Sequence, residues 1–473
     1  MNDISSSIKK VLIVFLVCFL ALITYITYFE LFVGPKIVNR PENKRLWVKR
    51  NEVLRGTIYD RYMNALTKSE RIDETTQKRE YTGGAVFSHV LGYVDIKYGI
   101  VGLERKYDSE LMSSGEDITS IFNLKDKKEE KVGNNLVTTI NSDMQKKAYD
   151  LLGDSRGAVV AINPKTGEIL ALVSKPSFDP NNLSEIWDDI NKDKNRPLIN
   201  RATAGLYPPG STFKTITAIS ALENIKGIKN RTFEDDGKLV FNSKESLSNF
   251  GGEVLGTLNF KTAYMHSSNV VFGTLGMELG NSQLKETAEK FFFNKDTPAD
   301  GITIENSQFP TFKSYEKGNI AQSAIGQSSV LASPIEMALV ASTIANDGVM
   351  MKPYLVSKVT NSKGEDVKNI SPKPIDTIIS QENAKTMKDL MRAVVEGGTG
   401  VGANIEGVSV CGKTGTADHN DGGDTTPHAW FIGFAPYENP QVAVAVLVED
   451  GGQGGGIAAR IASEVIRIGL NKK

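Results

Sequence analysis

The stretch Tyr207-Pro208-Pro209-Gly210-Ser211-Thr212-Phe213-Lys214 decides how the chain is read. Two prolines and a glycine cannot continue a helix, but they can deliver the chain to a helix start, where Ser211 would cap or open the first turn. Beyond it Phe213, Ile216, Ile219 and Leu222 recur at helical spacing until Gly227 can end the run. Residues three apart share a helix face, so the Lys214 amine can reach the Ser211 hydroxyl. Ser211 also lies where unpaired backbone N–H groups point outward, which suits a developing oxyanion. A serine nucleophile with a lysine base is the simplest chemistry for such a pair.

Spacing alone does not single out this pair, because Ser-x-x-Lys also occurs from Ser6, Ser7, Ser282 and Ser314. Its company does. A polar triplet, Ser267-Ser268-Asn269, follows it, and then Lys413-Thr414-Gly415-Thr416. A second Lys-Thr-Gly at Lys165 to Gly167 precedes the serine and lies between the apolar runs Ala158 to Ile162 and Ile169 to Val173, so it reads as a hairpin tip. Lys413 instead belongs to the run Val408-Ser409-Val410-Cys411-Gly412, a short alternating run that reads as a strand, with glycines leaving room for a substrate backbone alongside.

The 473 residues exceed one ordinary domain. A net charge of −1 with no concentrated basic stripe gives no electrostatic case for a nucleic-acid partner. Val11 to Phe29 is an uncharged, mostly apolar run of bilayer-spanning length, preceded by Lys9 and Lys10. Positive residues on the short flank predict a cytoplasmic N-terminus and an exported remainder. The run is long for a signal peptide, and Thr27-Tyr28-Phe29-Glu30 lacks a small-residue cleavage pattern, so a retained anchor is expected. Cys18 lies inside that run and Cys411 is alone outside it, which leaves the folded part no intramolecular disulfide.

The division expected along the chain is a cytoplasmic tail (1–10), an anchor (11–33), a juxtamembrane connector (34–54), a small mixed pedestal with its linker (55–131) and a catalytic region (132–473). The charge run Lys125 to Lys131 marks the last boundary. The catalytic region opens with a strand at Leu136 to Ile140, a helix at Asp143 to Leu152 and the hairpin around Lys165. From Thr215 to about Leu279 it reads as helical wherever periodicity is clear. Another helix is expected at Glu336 to Ala345, with Pro334 in its first turn. Strands at Trp430 to Ala435 and Val442 to Val448 and a closing helix at Ile457 to Leu470 complete the reading. The glycine cluster Gly451 to Gly456 lacks a following Lys-Ser/Thr pair and implies no nucleotide.

Taken together, these motifs resemble those of the class B penicillin-binding proteins, membrane-anchored peptidoglycan transpeptidases. The likeness extends to Arg55 to Arg61, Ser88-His89-Val90-Leu91-Gly92-Tyr93, Gly102-Leu103-Glu104, Gly157 to Ile162, Ala324-Ile325-Gly326-Gln327 and His428 to Pro436, and so covers nearly everything after the anchor. The resemblance implies an α/β (α+β) transpeptidase fold: an antiparallel sheet flanked by helices plus an all-helical subregion, on a short pedestal of the dimerisation type. It implies that Ser211 attacks the penultimate D-Ala carbonyl of a stem peptide, releasing the terminal D-Ala, and that an amine of a neighbouring stem resolves the acyl-enzyme as a cross-link. Lys214 would be the base. Ser267 and Asn269 would relay protons and hold the substrate amide, and Lys413 would attract the terminal carboxylate and tune Lys214. Thr414, Gly415 and Thr416 would line the substrate, and the backbone N–H groups of Ser211 and Thr416 would form the oxyanion hole.

The partners implied are stem peptides, the lipid-linked precursor, β-lactams and the membrane. A glycosyltransferase of the shape, elongation, division and sporulation (SEDS) type is a further expectation, although the pedestal is short for the family. No cofactor is required by this chemistry. Separately, the loop from Asp418 to His428 holds two of the four histidines and three carboxylates, with Cys411 upstream. Asp418, His419, Asp424, His428 and Cys411 are therefore carried as candidate ligands for a structural zinc. Two rival functions share parts of the pattern. A serine β-lactamase needs a deacylating glutamate that is not assignable here, and a non-catalytic β-lactam sensor or cell-wall scaffold usually brings a signalling domain.

Overall fold

The structure is a computed structural model that describes residues 2–33, 47, 50–73, 76–113, 130–243, 245–419 and 426–470. Much of the expected connector, residues 125–129 of the charge run, and Asp424 lie outside them. Asn2–Tyr28 is helical and continues through one π-helical turn, Phe29–Val33. The segment Ser7–Val33 is long and apolar enough to cross a membrane.

The core is a five-stranded antiparallel sheet of β1 (Gly157–Ile162), β2 (Ile169–Lys175), β3 (Cys411–Ala417), β4 (His428–Ala435) and β5 (Val442–Val448), in the order β3-β4-β5-β1-β2. Both faces are covered, so the central strands read as unbroken apolar runs rather than alternating ones. Their side chains still alternate in space. Val160, Ile162, Ile432 and Ala445 enter one apolar cluster, and Val159, Ala161, Phe431 and Val444 enter the other. The first face carries the helix Pro334–Ala345, capped by Ser333 and buried at every position, as an all-round apolar helix must be. Ile457–Leu470 covers the second face, with Ser142–Leu151 beside it.

The pedestal is sewn to this body rather than hung from it. Ile58–Tyr59 pairs in parallel with Asn135–Thr138, which pairs in turn with Val356–Thr360. Within the pedestal, Glu104 is fully buried and accepts from Arg55 Nε at 2.6 Å and Arg79 Nε at 2.8 Å. The Arg55 and Gly102-Leu103-Glu104 segments thus meet in one ion cluster. Such a cluster fixes register, because removing one member would strand buried charge.

Two readings from periodicity need correction. The middle of the chain is not helical throughout. After the helix Lys214–Asn224 come four short strands, Thr232–Asp235, Lys238–Val240, Ser246–Ser248 and Gly256–Asn259, paired as two ladders. They are two-stranded and mostly solvent-facing, so they leave little hydrophobic signature. The strand expected at Val408 to Gly412 starts instead at Cys411 and contains the Lys-Thr-Gly itself, because a tight turn at Gly407 (φ 74°) bridges Ile405 to Val408 just before it.

One buried group carries a stability prediction. Glu336 is fully buried, Thr297 Oγ1 donates to its Oε2 at 2.8 Å, and burial pushes its carboxyl up to about 8. The unfolded chain ionises this group near the ordinary carboxylate value, whereas the folded chain keeps the proton until about 8, so stability falls as pH rises across that window. Glu336→Gln removes the cost. It should stabilise the protein by roughly 4 kcal/mol at pH 9 and by almost nothing at pH 4, measured by denaturant melts at both pH values.

Candidate active site

Ser211 lies on a 3₁₀ turn, Gly210–Phe213, and Lys214 is the first residue of the α-helix that follows. Ser211 therefore does not cap that helix. A 3₁₀ turn brings side chains i and i+3 into line, which is the spacing of Ser211 and Lys214. The turn is pinned on two sides. Gly210 N donates to Gly326 O at 2.9 Å, and Trp430 Nε1 donates to Pro208 O at 3.0 Å. Gly210 has φ 53°, and a Cβ there would fall 2.7 Å from Thr416 O. The glycine before the serine is what lets the turn press against the motif strand.

The Lys214 amine is fully buried and has three partners, none of them the Ser211 hydroxyl: Ser267 O at 2.6 Å, Asn269 Oδ1 at 2.7 Å and Ser267 Oγ at 3.1 Å. Lys413 is also fully buried and donates to the same Ser267 Oγ at 2.9 Å and to Thr414 O at 3.0 Å. Ser267 Oγ therefore bridges the two lysines. Desolvation, followed by repulsion from Lys413, holds the Lys214 amine well below the usual lysine range, and desolvation lowers Lys413 to about 7. Ser267 adopts the left-handed conformation (φ 59°), which costs roughly 1–2 kcal/mol for a side-chain-bearing residue. That backbone turn is what presents both its oxygens to Lys214.

The strand β3 is the edge of the sheet, so its outer side faces a cleft of about 620 Å³. Ser211, Ser267, Asn269, Thr399, Thr414 and Thr416 are among its lining residues. An open strand edge can pair with an extended peptide, with alternate side chains setting specificity. A Cβ at Gly415 would meet Pro209 O and Thr212 Cγ2, each at 2.9 Å, so this glycine permits the close approach of strand and serine turn. Thr416 Oγ1 accepts from Gly454 N at 3.4 Å, which leaves its proton free to donate to an anion in the cleft. Thr414 Oγ1 lies 2.6 Å from Thr399 Oγ1. The sequence reading missed Thr399, whose only signal is its place between glycines at 398 and 400.

It also missed Asp235 and Asn249, which come from the unforeseen ladders. Buried Asp235 accepts from Ser268 Oγ at 2.5 Å and from Asn249 Nδ2 at 2.7 Å, while Asn249 Oδ1 accepts from Asn269 N at 2.8 Å. No motif spacing links these residues to the serine.

The candidate zinc ligands are not brought together as a set. Cys411 pairs with Phe434 at one end of the hairpin and His428 with Ala417 at the other, six residues or about 20 Å apart. Asp418 lines the cleft. His419 and His428 do meet near Asp450, with His419 Nε2 at 2.8 Å and His428 Nδ1 at 3.6 Å from its Oδ1. Their rings, however, are stacked 3.9 Å apart at 9°. Ring lone pairs lie in the ring plane, so one ion cannot be ligated by both of two parallel, stacked rings, and the residues as folded do not fit a zinc chelate. The second Lys-Thr-Gly lies in the loop between β1 and β2, where Lys165 reaches Asn439, and it does not line the cleft.

Comparison with known proteins agrees with this geometry. Residues 157–467 match the family model described as the penicillin-binding protein transpeptidase domain, and residues 55–135 match that of the penicillin-binding protein A dimerisation domain. The chain is 34% identical to the peptidoglycan D,D-transpeptidase PbpA of Mycolicibacterium smegmatis over 99% of both chains. It is 32% identical to PbpA of Mycobacterium tuberculosis over 98% of this chain and 99% of that one. Among solved structures, the penicillin G acyl-enzyme complex of penicillin-binding protein A from M. tuberculosis superposes with a TM-score of 0.81 at 31% identity, covering 89% of this chain and 100% of that one. The D,D-transpeptidase domain of a peptidoglycan glycosyltransferase from Eggerthella lenta gives 0.79 at 33% identity, covering 89% and 98%. A family model matching residues 157–467 and relatives alike from end to end leave one assignment: this chain belongs to the penicillin-binding protein family of peptidoglycan D,D-transpeptidases.

Proposed function

We propose that Ser211 is the nucleophile of a two-step acyl transfer, with Lys214 as its base, and that the same serine is the site of β-lactam acylation. The observation that carries this reading is the buried chain Lys214–Ser267–Lys413 beneath the only serine of the 3₁₀ turn. A neutral Lys214 has two N–H bonds to give, and the two shortest contacts, Ser267 O and Asn269 Oδ1, take them. The lone pair is then left facing the third neighbour, Ser267 Oγ, through which the Ser211 proton reaches it as Ser211 Oγ bonds to the penultimate D-Ala carbonyl. Backbone N–H groups of Ser211 and Thr416 receive the oxyanion. As the bond to the terminal D-Ala breaks, its nitrogen takes a proton relayed from Lys214 through Ser267. The amine of a second stem peptide then attacks the ester and restores Ser211.

The buried Lys413 attracts the terminal carboxylate, Thr414 and Thr416 help to bind it, and Asn269 holds the peptide amide. Enzymes of this family need no cofactor, and no metal-dependent step is proposed. The division into tail, anchor, connector, pedestal (55–131) and catalytic region (132–473) remains our proposal. So do a cytoplasmic N-terminus, an extracytoplasmic catalytic region, a lipid-linked precursor as substrate source, and a SEDS-type glycosyltransferase as partner. The long apolar helix Ser7–Val33 supports the anchor.

The test is to supply purified full-length protein with un-cross-linked glycan strands made from the lipid-linked precursor. Cross-linked dimers with matching release of D-Ala are expected. Release of D-Ala without dimers, or rapid multiple turnover of benzylpenicillin, would contradict transfer to an amine acceptor.

A further inference from the structure

Three elements hold the catalytic lysines: the serine helix, the motif strand and the Ser267–Asn269 turn. The first two belong to the rigid sheet-and-helix core. The turn does not, since Ser267 is in the left-handed region and Ser268 is only the cap of the helix Asn269–Lys290. Its backbone is tied to the helix Phe260–Met265 before it, Ser267 N donating to Tyr264 O at 3.1 Å and Ser268 N to Ala263 O at 2.9 Å, and its side chains are tied to the ladder strand Thr232–Asp235. The buried Asp235 carboxylate accepts from Gly237 N at 2.9 Å and Asn249 Nδ2 at 2.7 Å on Oδ1, and from Ser268 Oγ at 2.5 Å on Oδ2. Ser268 Oγ in turn accepts from Val271 N at 2.9 Å, and Asn249 Oδ1 accepts from Asn269 N at 2.8 Å and Val270 N at 3.2 Å. One carboxylate thereby clamps the residue after Ser267 directly and the backbone of Asn269 through one amide.

We infer that Asp235 is a positioning residue for the base: it helps to fix the turn that presents Ser267 and Asn269 to Lys214, and it sets a negative charge against the buried Lys214 amine. This rests on the assignment of Lys214 as the base. The charged groups that act on Lys214 are Lys413 from β3, which favours the neutral amine, and Asp235 from the ladder, which favours the ammonium. Asp235 thus works against burial and keeps Lys214 from losing all basicity. A weaker base accepts the serine proton less readily, and a stronger one would be protonated at neutral pH.

The two halves of this role separate in two variants. Asp235→Asn keeps the size and can keep bonds to Ser268, Asn249 and Gly237 while removing the charge. Ser268→Ala keeps the charge and removes the direct arm of the clamp, together with the cap on Val271 N, while the arm through Asn249 stays. The acylation constant with labelled penicillin is measured from pH 5 to 9 on full-length protein, with the adduct mapped to Ser211 in each case. Asp235→Asn should move the acid midpoint down by about one pH unit. Ser268→Ala should leave the midpoint in place and lower the plateau about tenfold. An Asp235→Asn midpoint that stays put or rises overturns the charge role, and an unchanged Ser268→Ala plateau overturns the direct hold on the turn. If Asp235→Asn does not fold, the Ser268→Ala plateau still decides that hold. Failure of the wild type to acylate at Ser211 would instead overturn the underlying assignment.

Discussion

Ser211→Ala is expected to leave the protein folded and chemically inert. The side chain is partly exposed at the floor of the cleft, and the 3₁₀ turn is held by Gly210, Pro208 and their partners rather than by the hydroxyl, so the melting temperature should move little. Cross-linking and D-Ala release should both fall by about six orders of magnitude, the scale on which removing a serine nucleophile acts when its whole apparatus depends on it. No adduct should form with penicillin. Residual cross-linking at a tenth of the wild-type rate would mean that another group attacks the donor carbonyl.

Lys214→Arg should be nearly as damaging, although it looks conservative. Burial and Lys413 hold the amine well below its usual range, which favours the neutral form that the proposed role as base needs. A guanidinium stays protonated throughout the accessible pH range and cannot accept the serine proton. The acylation constant should drop by about 10²- to 10⁴-fold, and Lys214→Ala should show a similar loss, which separates the missing base from crowding by the larger side chain. In the wild type the same constant should fall on the acid side as Lys214 gains a proton. It should also fall above about 7 as Lys413 loses the positive charge that attracts the carboxylate. The two midpoints belong to the coupled pair rather than to either lysine alone. A flat profile between pH 5 and 9 would contradict a lysine base.

Much of this machinery could be read from the chain because each piece coincides with a strong local signal. Pro208-Pro209-Gly210 forces a turn, and the apolar repeat from Phe213 to Leu222 forces the helix after it. Gly157 to Ile162, Trp430 to Ala435 and Val442 to Val448 are buried on both faces and so stand out as apolar runs. The rest was hidden for physical reasons. Asp235 and Asn249 act by being buried and hydrogen-bonded, and neither property leaves a trace in residue type. The ladders that carry them are short and half solvated, with no period to detect. Thr399 is placed by the fold and not by spacing, since its partner Thr414 lies across a helix-to-strand connection. Among the zinc candidates, Cys411 is set apart by the strand pairing that puts it and His428 at opposite ends of one hairpin, whereas His419 and His428 meet beside Asp450, a residue distant in the chain.

The most direct test is to find where penicillin goes. Full-length wild-type protein is incubated with a labelled penicillin, digested and mapped by mass spectrometry. The account predicts one adduct per chain, on the peptide containing Ser211 and on that residue. An adduct on any other residue, or no gain in mass with several penicillins and cephalosporins, would contradict it.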